Sequence, residues 1–200
     1  MKRILVLLYS LFNCIFVQSQ NLDSVTTTHK SIPIIQQRTF HLNGGNKSTL
    51  GGGKSRVYLQ IDLPPNTVEW YYSFTTSGNE NIKQNLNLAV QLTSLIASYY
   101  INPASSLLSS SGLTSKAIAS ISIPAGSHAI DAYLCDEDNI GKFLNKAPFN
   151  YQMEGTTENT TQGVISVRNH DSGTWYIGLR NPAMVYSANI TIEVVAITEE

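Results

Sequence analysis

The chain has 200 residues, 42% hydrophobic and 14% charged, which is too apolar for a disordered chain and long enough for one sizeable core. Thirteen basic side chains stand against 14 acidic ones with no basic run, so nucleic acid is not an expected partner. Two cysteines, Cys14 and Cys135, are too few for a disulfide-built fold.

Residues 1–19 carry Lys2 and Arg3 and then an apolar stretch through Val17 that is too short to stay in a bilayer, the layout of a secretory signal peptide. Val17-Gln-Ser19 before Gln20 supplies a cleavage site; an uncleaved anchor and a lipoprotein signal on Cys14 are the alternatives. Cleavage leaves Cys135 as the lone cysteine and 11 basic against 14 acidic side chains, a formal charge of −3. The expected destination is secretion or the cell envelope, meaning the periplasm or cell surface in a bacterium.

Residues 20–37 are rich in Thr, Ser, Gln and Asn and read as a flexible leader, with a single domain over 38–200. A first strand is expected at 38–42, followed by a Gly-rich connection from Asn43 to Gly53. In 56–63, Val57, Leu59, Ile61 and Leu63 alternate with Arg56, Tyr58, Gln60 and Asp62, so one face is buried and one is wet. Pro64-Pro-Asn66 ends that strand, and 68–75 puts Val68, Trp70, Tyr72 and Phe74 on an aromatic inner face. Further strands are expected at 117–123, 128–135, 163–168, 174–180 and 188–197. Together they predict a mainly β fold, an antiparallel, jelly-roll-like β-sandwich of about eight strands.

A helical insertion around 85–115 interrupts this pattern. From Gln84 to Ser115 no residue is charged, and Leu88, Leu92, Leu95, Ile96 and Tyr99 recur at helical spacing. That predicts a helix over 85–100 and a shorter one over 104–113, after Pro103. The apolar stripe either packs on the sandwich or stays open to lipid or a partner.

No constellation of catalytic residues stands out. Gly51-Gly-Gly-Lys-Ser55 resembles the end of a phosphate-binding loop, but Ser48 stands where the first Gly is needed and a strand comes after it instead of a helix. His29, His41, His128 and His170 are scattered, and in His170-Asp-Ser172 neighbouring side chains do not face one another as a triad requires. Asp131, Asp136 and Asp138, beside Glu137 and Asn139, read as a solvated acidic turn; a calcium site is the alternative. Cys135 beside those acids reads as a packing residue. Asn46, Asn159 and Asn189 match the glycosylation pattern.

Gly173-Thr-Trp-Tyr-Ile-Gly-Leu-Arg-Asn181, with Trp70-Tyr-Tyr-Ser-Phe74 and Ala132-Tyr-Leu-Cys-Asp136 before it, resembles secreted β-sandwich modules of the GOLD type and the bacterial pre-peptidase C-terminal type. The resemblance spans roughly residues 50–197 and implies a non-catalytic binding or accessory domain. The charge-free stretch from Gln84 to Ser115 departs from both patterns. The leading expectation is an exported binding protein for a protein, glycan or envelope component. Tyr71 and Tyr133 on polar strand faces and Tyr99 and Tyr100 at the tip of the insertion are its candidate contacts. Association with a membrane surface through 85–115 is the alternative. A secreted hydrolase using His170, His128 or the acidic loop is third, because no nucleophile is paired with a base.

Overall fold

Strand β1 (His29–Leu42) runs along β10 (Ala188–Glu199), which in turn pairs with β3 (Thr67–Ser77), so β10 is hydrogen-bonded on both edges. The computed structural model describes residues 28–78, 84–109 and 112–200; the expected signal peptide at 1–19, with Cys14, and the expected leader up to 27 lie outside the described residues. The first sheet is completed by β8 (Gln162–Val167) in the order β1-β10-β3-β8. The second sheet joins β2 (Arg56–Asp62), β9 (Thr174–Arg180), β6 (Ile130–Cys135) and β7 (Gln152–Thr160) in the order β2-β9-β6-β7. All pairings are antiparallel, and the two sheets form a β-sandwich.

Period-two alternation fills the space between the sheets. Leu59 and Ile61 of β2, Trp70, Tyr72 and Phe74 of β3, Ile177 and Leu179 of β9, and Ile190, Ile192 and Val194 of β10 form one buried cluster, with Trp175 at its margin. The polar tips in this core are satisfied: Tyr72 Oη donates to the Gly155 carbonyl at 2.8 Å, and Trp70 Nε1 donates to the His170 carbonyl at 2.8 Å.

The outer face of β2 is wet as alternation predicts, with Tyr58, Gln60 and Asp62 exposed, but large parts of both outer faces are covered. Over the first sheet lie helix α2 (Leu88–Ile101), a hairpin of β4 (Leu108–Ser109) and β5 (Gly112–Leu113), and helix α3 (Ser115–Ala119). Leu88, Leu92 and Ile96 of α2 bury with Leu113 and Ala117 against Tyr71, Val195 and Ile197, a second core. Two buried carboxylates fasten it. Glu193 of β10 accepts the Leu88 and Ala89 backbone N–H groups at 2.8 and 3.1 Å, taking the place of a side-chain cap that Asn87 does not supply. Glu69 of β3 accepts the Leu113 N–H at 2.6 Å and pairs with Arg168 at 3.0 Å, while Arg168 also donates to the Leu113 carbonyl.

Helix α4 (Glu137–Leu144) covers the second sheet, burying Ile140 and Phe143 on Tyr133, Cys135 and Tyr176. Gly178 makes this approach possible, because a Cβ there would lie 2.8 Å from the Phe143 ring. The last helix, α1 (Gly45–Leu50), sits in the Gly-rich connection.

Several expectations are corrected. The strand expected from Arg38 begins at His29, so residues 29–37 of the expected leader are strand, paired with β10. The segment 117–123 is helix α3 and an extended run, with Thr114 Oγ1 capping the helix by accepting from the Ala117 N–H. The segment 104–113 is a short 3-10 turn (Pro103–Ser105) and the β4–β5 hairpin rather than a helix. Strand β7 is an addition, since Gln152-Met-Glu-Gly-Thr-Thr-Glu-Asn-Thr160 has no apolar alternation to announce it.

Replacing Glu69 by Ala strands the Leu113 donor and a guanidinium that is partly exposed and can rehydrate, so urea unfolding is expected to report a loss of about 3 kcal/mol. Glu193→Ala exposes two helix-terminal donors and is expected to cost about 2 kcal/mol, with faster amide exchange at Leu88 and Ala89 than in the rest of α2. Burial, and then Asp136, push the Cys135 thiol up to about 12. At pH 8 the native protein should therefore resist iodoacetamide and react at the normal rate only when unfolded, which mass spectrometry reads directly.

Candidate functional site

Several connections gather at one end of the sandwich. The β1–β2 connection with α1, the β9–β10 connection at 181–187, and the turns at Ser127-His128 and Thr161 are joined here by hydrogen bonds. Gly45 and Asn46 donate from their backbone to the Ala183 and Met184 carbonyls at 2.8 and 2.9 Å, so the start of α1 lies on the 181–187 loop. Gly44 is required at this crossing, because a Cβ would stand 2.9 Å from the Met184 carbonyl oxygen.

Two asparagines make the end rigid. Asn181, 4% exposed, donates from Nδ2 to the Leu42 and Tyr186 carbonyls at 3.2 and 2.7 Å and accepts the Ala183 N–H at 3.0 Å, closing the loop on itself. Asn43 donates to the Gly52 carbonyl at 3.2 Å and accepts from Ser187 Oγ at 3.1 Å. On this frame Leu50, Met184, Val185 and Tyr186 are each more than half exposed, an apolar ridge at the tip of the sandwich.

Two depressions lie at this end of the sandwich. One, of about 560 Å³, is lined by His41, Asn43, Lys47, His128, Val185, Tyr186 and Ser187. His41 Nδ1 is 2.8 Å from Asn189 Oδ1 and Nε2 is 3.2 Å from Asn43 Oδ1; His128 Nδ1 is 2.8 Å from Ser127 Oγ, with its ring edge-on to Tyr186 at 6.3 Å. The other, of about 570 Å³, is lined by Phe40, Lys54, Arg56, Tyr58, Leu144 and Lys146 among others, and it continues beside Arg180, Asn181 and Pro182.

The candidate residues read from the sequence fall elsewhere. Tyr71 is fully buried under the insertion, where burial and then Glu69 raise its hydroxyl well above the ordinary tyrosine range. Tyr133 is buried under α4, its hydroxyl donating to Glu158 at 2.5 Å. Alternation places both on wet strand faces, and both faces are covered. Tyr99 is half-buried in the second core, and Tyr100, 39% exposed, accepts the His29 backbone N–H at 2.6 Å. Of the four, only Tyr100 is exposed, and it lies at the C-terminal end of α2.

The acids are structural. Asp131 is buried, pairs with Arg180 at 2.6 Å and accepts the Asn159 N–H at 2.8 Å. Asp136 is the N-cap of α4, accepting the Asn139 N–H at 2.9 Å, and Glu137 and Asp138 stand in the first turn, where negative charge suits the helix dipole. The expected acidic turn is thus a helix start, and Asp131, Asp136 and Asp138 are not gathered into a calcium site: among the described residues no group of three or more His, Cys, Asp or Glu could hold a metal ion. His170-Asp-Ser172 is a turn whose His170 and Ser172 carbonyls accept from Trp70 and Trp175, and the His170 ring packs on Trp175 at 4.4 Å. Asn189 of the glycosylation matches is buried in β10.

Sequence reading misses the ridge. Its signal is Ala183-Met-Val-Tyr186, an apolar run inside a turn, where polar residues are the rule unless the surface has a use. A comparison with protein-family models and with curated proteins finds no match to this chain.

Proposed function

We propose that this protein is an exported, non-catalytic binding or accessory module of jelly-roll type that engages a glycan of the envelope or its surroundings through the α1 and 181–187 end. The strand order β1-β10-β3-β8 over β2-β9-β6-β7 supports the jelly-roll reading. Export rests on the signal-like residues 1–19.

The observation that carries the binding reading is the exposed Tyr186 ring standing beside His41, Asn43, His128 and Ser187 on a preformed frame. An aromatic face suits the C–H face of a sugar ring, and amide, imidazole and hydroxyl groups suit its hydroxyls. Asn43 and Asn181 already hold both connections, so little ordering cost falls on binding. The membrane alternative draws less support, because Leu88, Leu92 and Ile96 are spent inside the second core. Among the described residues no helix is long and apolar enough to cross a membrane. The hydrolase alternative draws little, since His170 serves a turn at 168–173 and the acids serve α4 and Arg180.

Isothermal titration of the exported protein with soluble oligosaccharides, chosen by a glycan array, should give saturable binding without release of new reducing ends. Tyr186→Ala is expected to weaken that binding about tenfold, and Tyr100→Ala to leave it unchanged. Equal affinity for wild type and Tyr186→Ala removes the site from the ridge.

A further inference from the structure

The second depression has a charge distribution that the fold alone does not require. Arg56 of β2 and Arg180 of β9 are direct partners in the strand register, an arrangement in which like charges repel. Asp131, opposite Arg180 on the other side, neutralises Arg180 through contacts of 2.7 and 2.6 Å. Among the described residues Arg56 makes no salt bridge of its own, and Asp131 acts on it only at longer range. One edge of its guanidinium donates to the Phe143 carbonyl at the end of α4, and the group lies over the Phe143 ring at 5.0 Å. Those contacts account for its position and leave other N–H donors for the cleft. Burial, and then Arg180, lower the Arg56 pKa from its ordinary value, although Asp131 acts in the opposite direction.

Two lysines add to it. Lys54 and Lys146 are exposed on the walls of the same cleft and make no ion pair with any described carboxylate. Lys146 is held there in the left-handed backbone region, φ 59, with its N–H donating to the same Phe143 carbonyl that Arg56 uses. Neither part of the cleft is lined by Asp or Glu. On a domain whose formal charge is −3 without residues 1–19, three cations converge on one concave site whose lining holds no carboxylate.

We propose that the cleft formed by Lys54, Arg56 and Lys146 is an oxyanion seat that takes the carboxylate or sulfate ester of an acidic glycan, whose sugar rings extend over the neighbouring ridge. This rests on the glycan reading above and narrows it to anionic chains. The planar guanidinium of Arg56 matches a two-oxygen group, and the lysines supply less directional attraction from the rim. Continuity of the cleft with Arg180, Asn181 and Pro182 leads it to the foot of the 181–187 loop that carries Tyr186.

The test titrates the exported protein with three hexasaccharides at low salt: oligogalacturonate for carboxylate, a chondroitin sulfate fragment for sulfate, and neutral cellohexaose. The acidic chains should bind at least about tenfold more tightly than the neutral one, with most of that advantage lost between about 20 and about 300 mM NaCl, concentrations set to bracket the range over which screening becomes strong. The carboxylate and sulfate arms identify which substituent the seat prefers. The double variant Lys54→Glu/Lys146→Glu alters two exposed side chains, so the thermal midpoint should stay near that of wild type while the preference for acidic chains disappears. Tyr186→Ala should weaken all chains that bind by a common factor. Equal affinity for acidic and neutral chains overturns the oxyanion seat and leaves the glycan reading standing. A preference that survives the double variant moves the seat away from this cleft and overturns the assignment. Binding of none of the three, with the protein folded, fails the glycan reading and the inference together.

Discussion

Two carboxylates on the outer face of the first sheet govern how this chain closes. Glu69 and Glu193 lie on the paired strands β3 and β10, and both are buried. Burying a carboxylate is costly, and these two are tolerated because each accepts backbone N–H groups from the insertion, with Arg168 supplying the counter-charge to Glu69. In return they satisfy donors at the start of α2 and in the β4–β5 hairpin that have no partner of their own there. The insertion is therefore seated at defined points instead of merely adhering by its leucines. Once it is seated, Tyr71, Val195 and Ile197 become core, and β3 and β10 are buried on both faces.

This explains where sequence reading succeeds and where it stops. Alternation tells which side chains share a strand face, and it places Ile61, Trp70, Trp175 and Ile192 in the space between the sheets, where they lie. It does not tell what covers the opposite face. Tyr71 is next to Trp70, so alternation gives it to water, yet α2 lies over it. The unbroken run Val194-Val-Ala-Ile197 is the available clue, since a strand wet on one face does not keep four apolar residues in succession. Segment 117–123 alternates as a strand would, yet its start is a helix capped by Thr114, a local signal the alternation masks. In the Asp136-Glu-Asp-Asn139 run, negative charge preceding Ile140 and Phe143 marks a helix start. Its composition is that of a cation loop, and only the helically spaced apolar residues after it tell the two apart.

The end of the sandwich is less legible for a different reason. Lys54, Arg56, Lys146 and Arg180 are spread over 127 positions of sequence, counting from 54 to 180, and no local pattern connects them. Arg56 and Arg180 meet through the β2–β9 register. Lys146 arrives because α4 leaves the far end of β6, crosses the sheet over Gly178 and terminates beside Arg56, where the Phe143 carbonyl accepts from both Arg56 and the Lys146 backbone. A glycine in β9 and the length of a helix thus determine the composition of the cleft.

With α2 and the β4–β5 hairpin over β3 and β10, and α4 over β6 and β9, the central strands offer no outer face for recognition. Most of the described aromatic rings lie in or against the three cores, including three of the four tyrosines that the sequence marks as contacts, Tyr71, Tyr99 and Tyr133. Tyr186 differs because its backbone carbonyl holds the loop through Asn181, while its ring, 67% exposed, meets only the edge of His128 among the described aromatic contacts. A large side chain that contributes nothing to its own loop, on a loop fixed by a buried asparagine, combines exposure with low conformational freedom. That combination favours binding, since the energy of contact is not spent on ordering the contact residues.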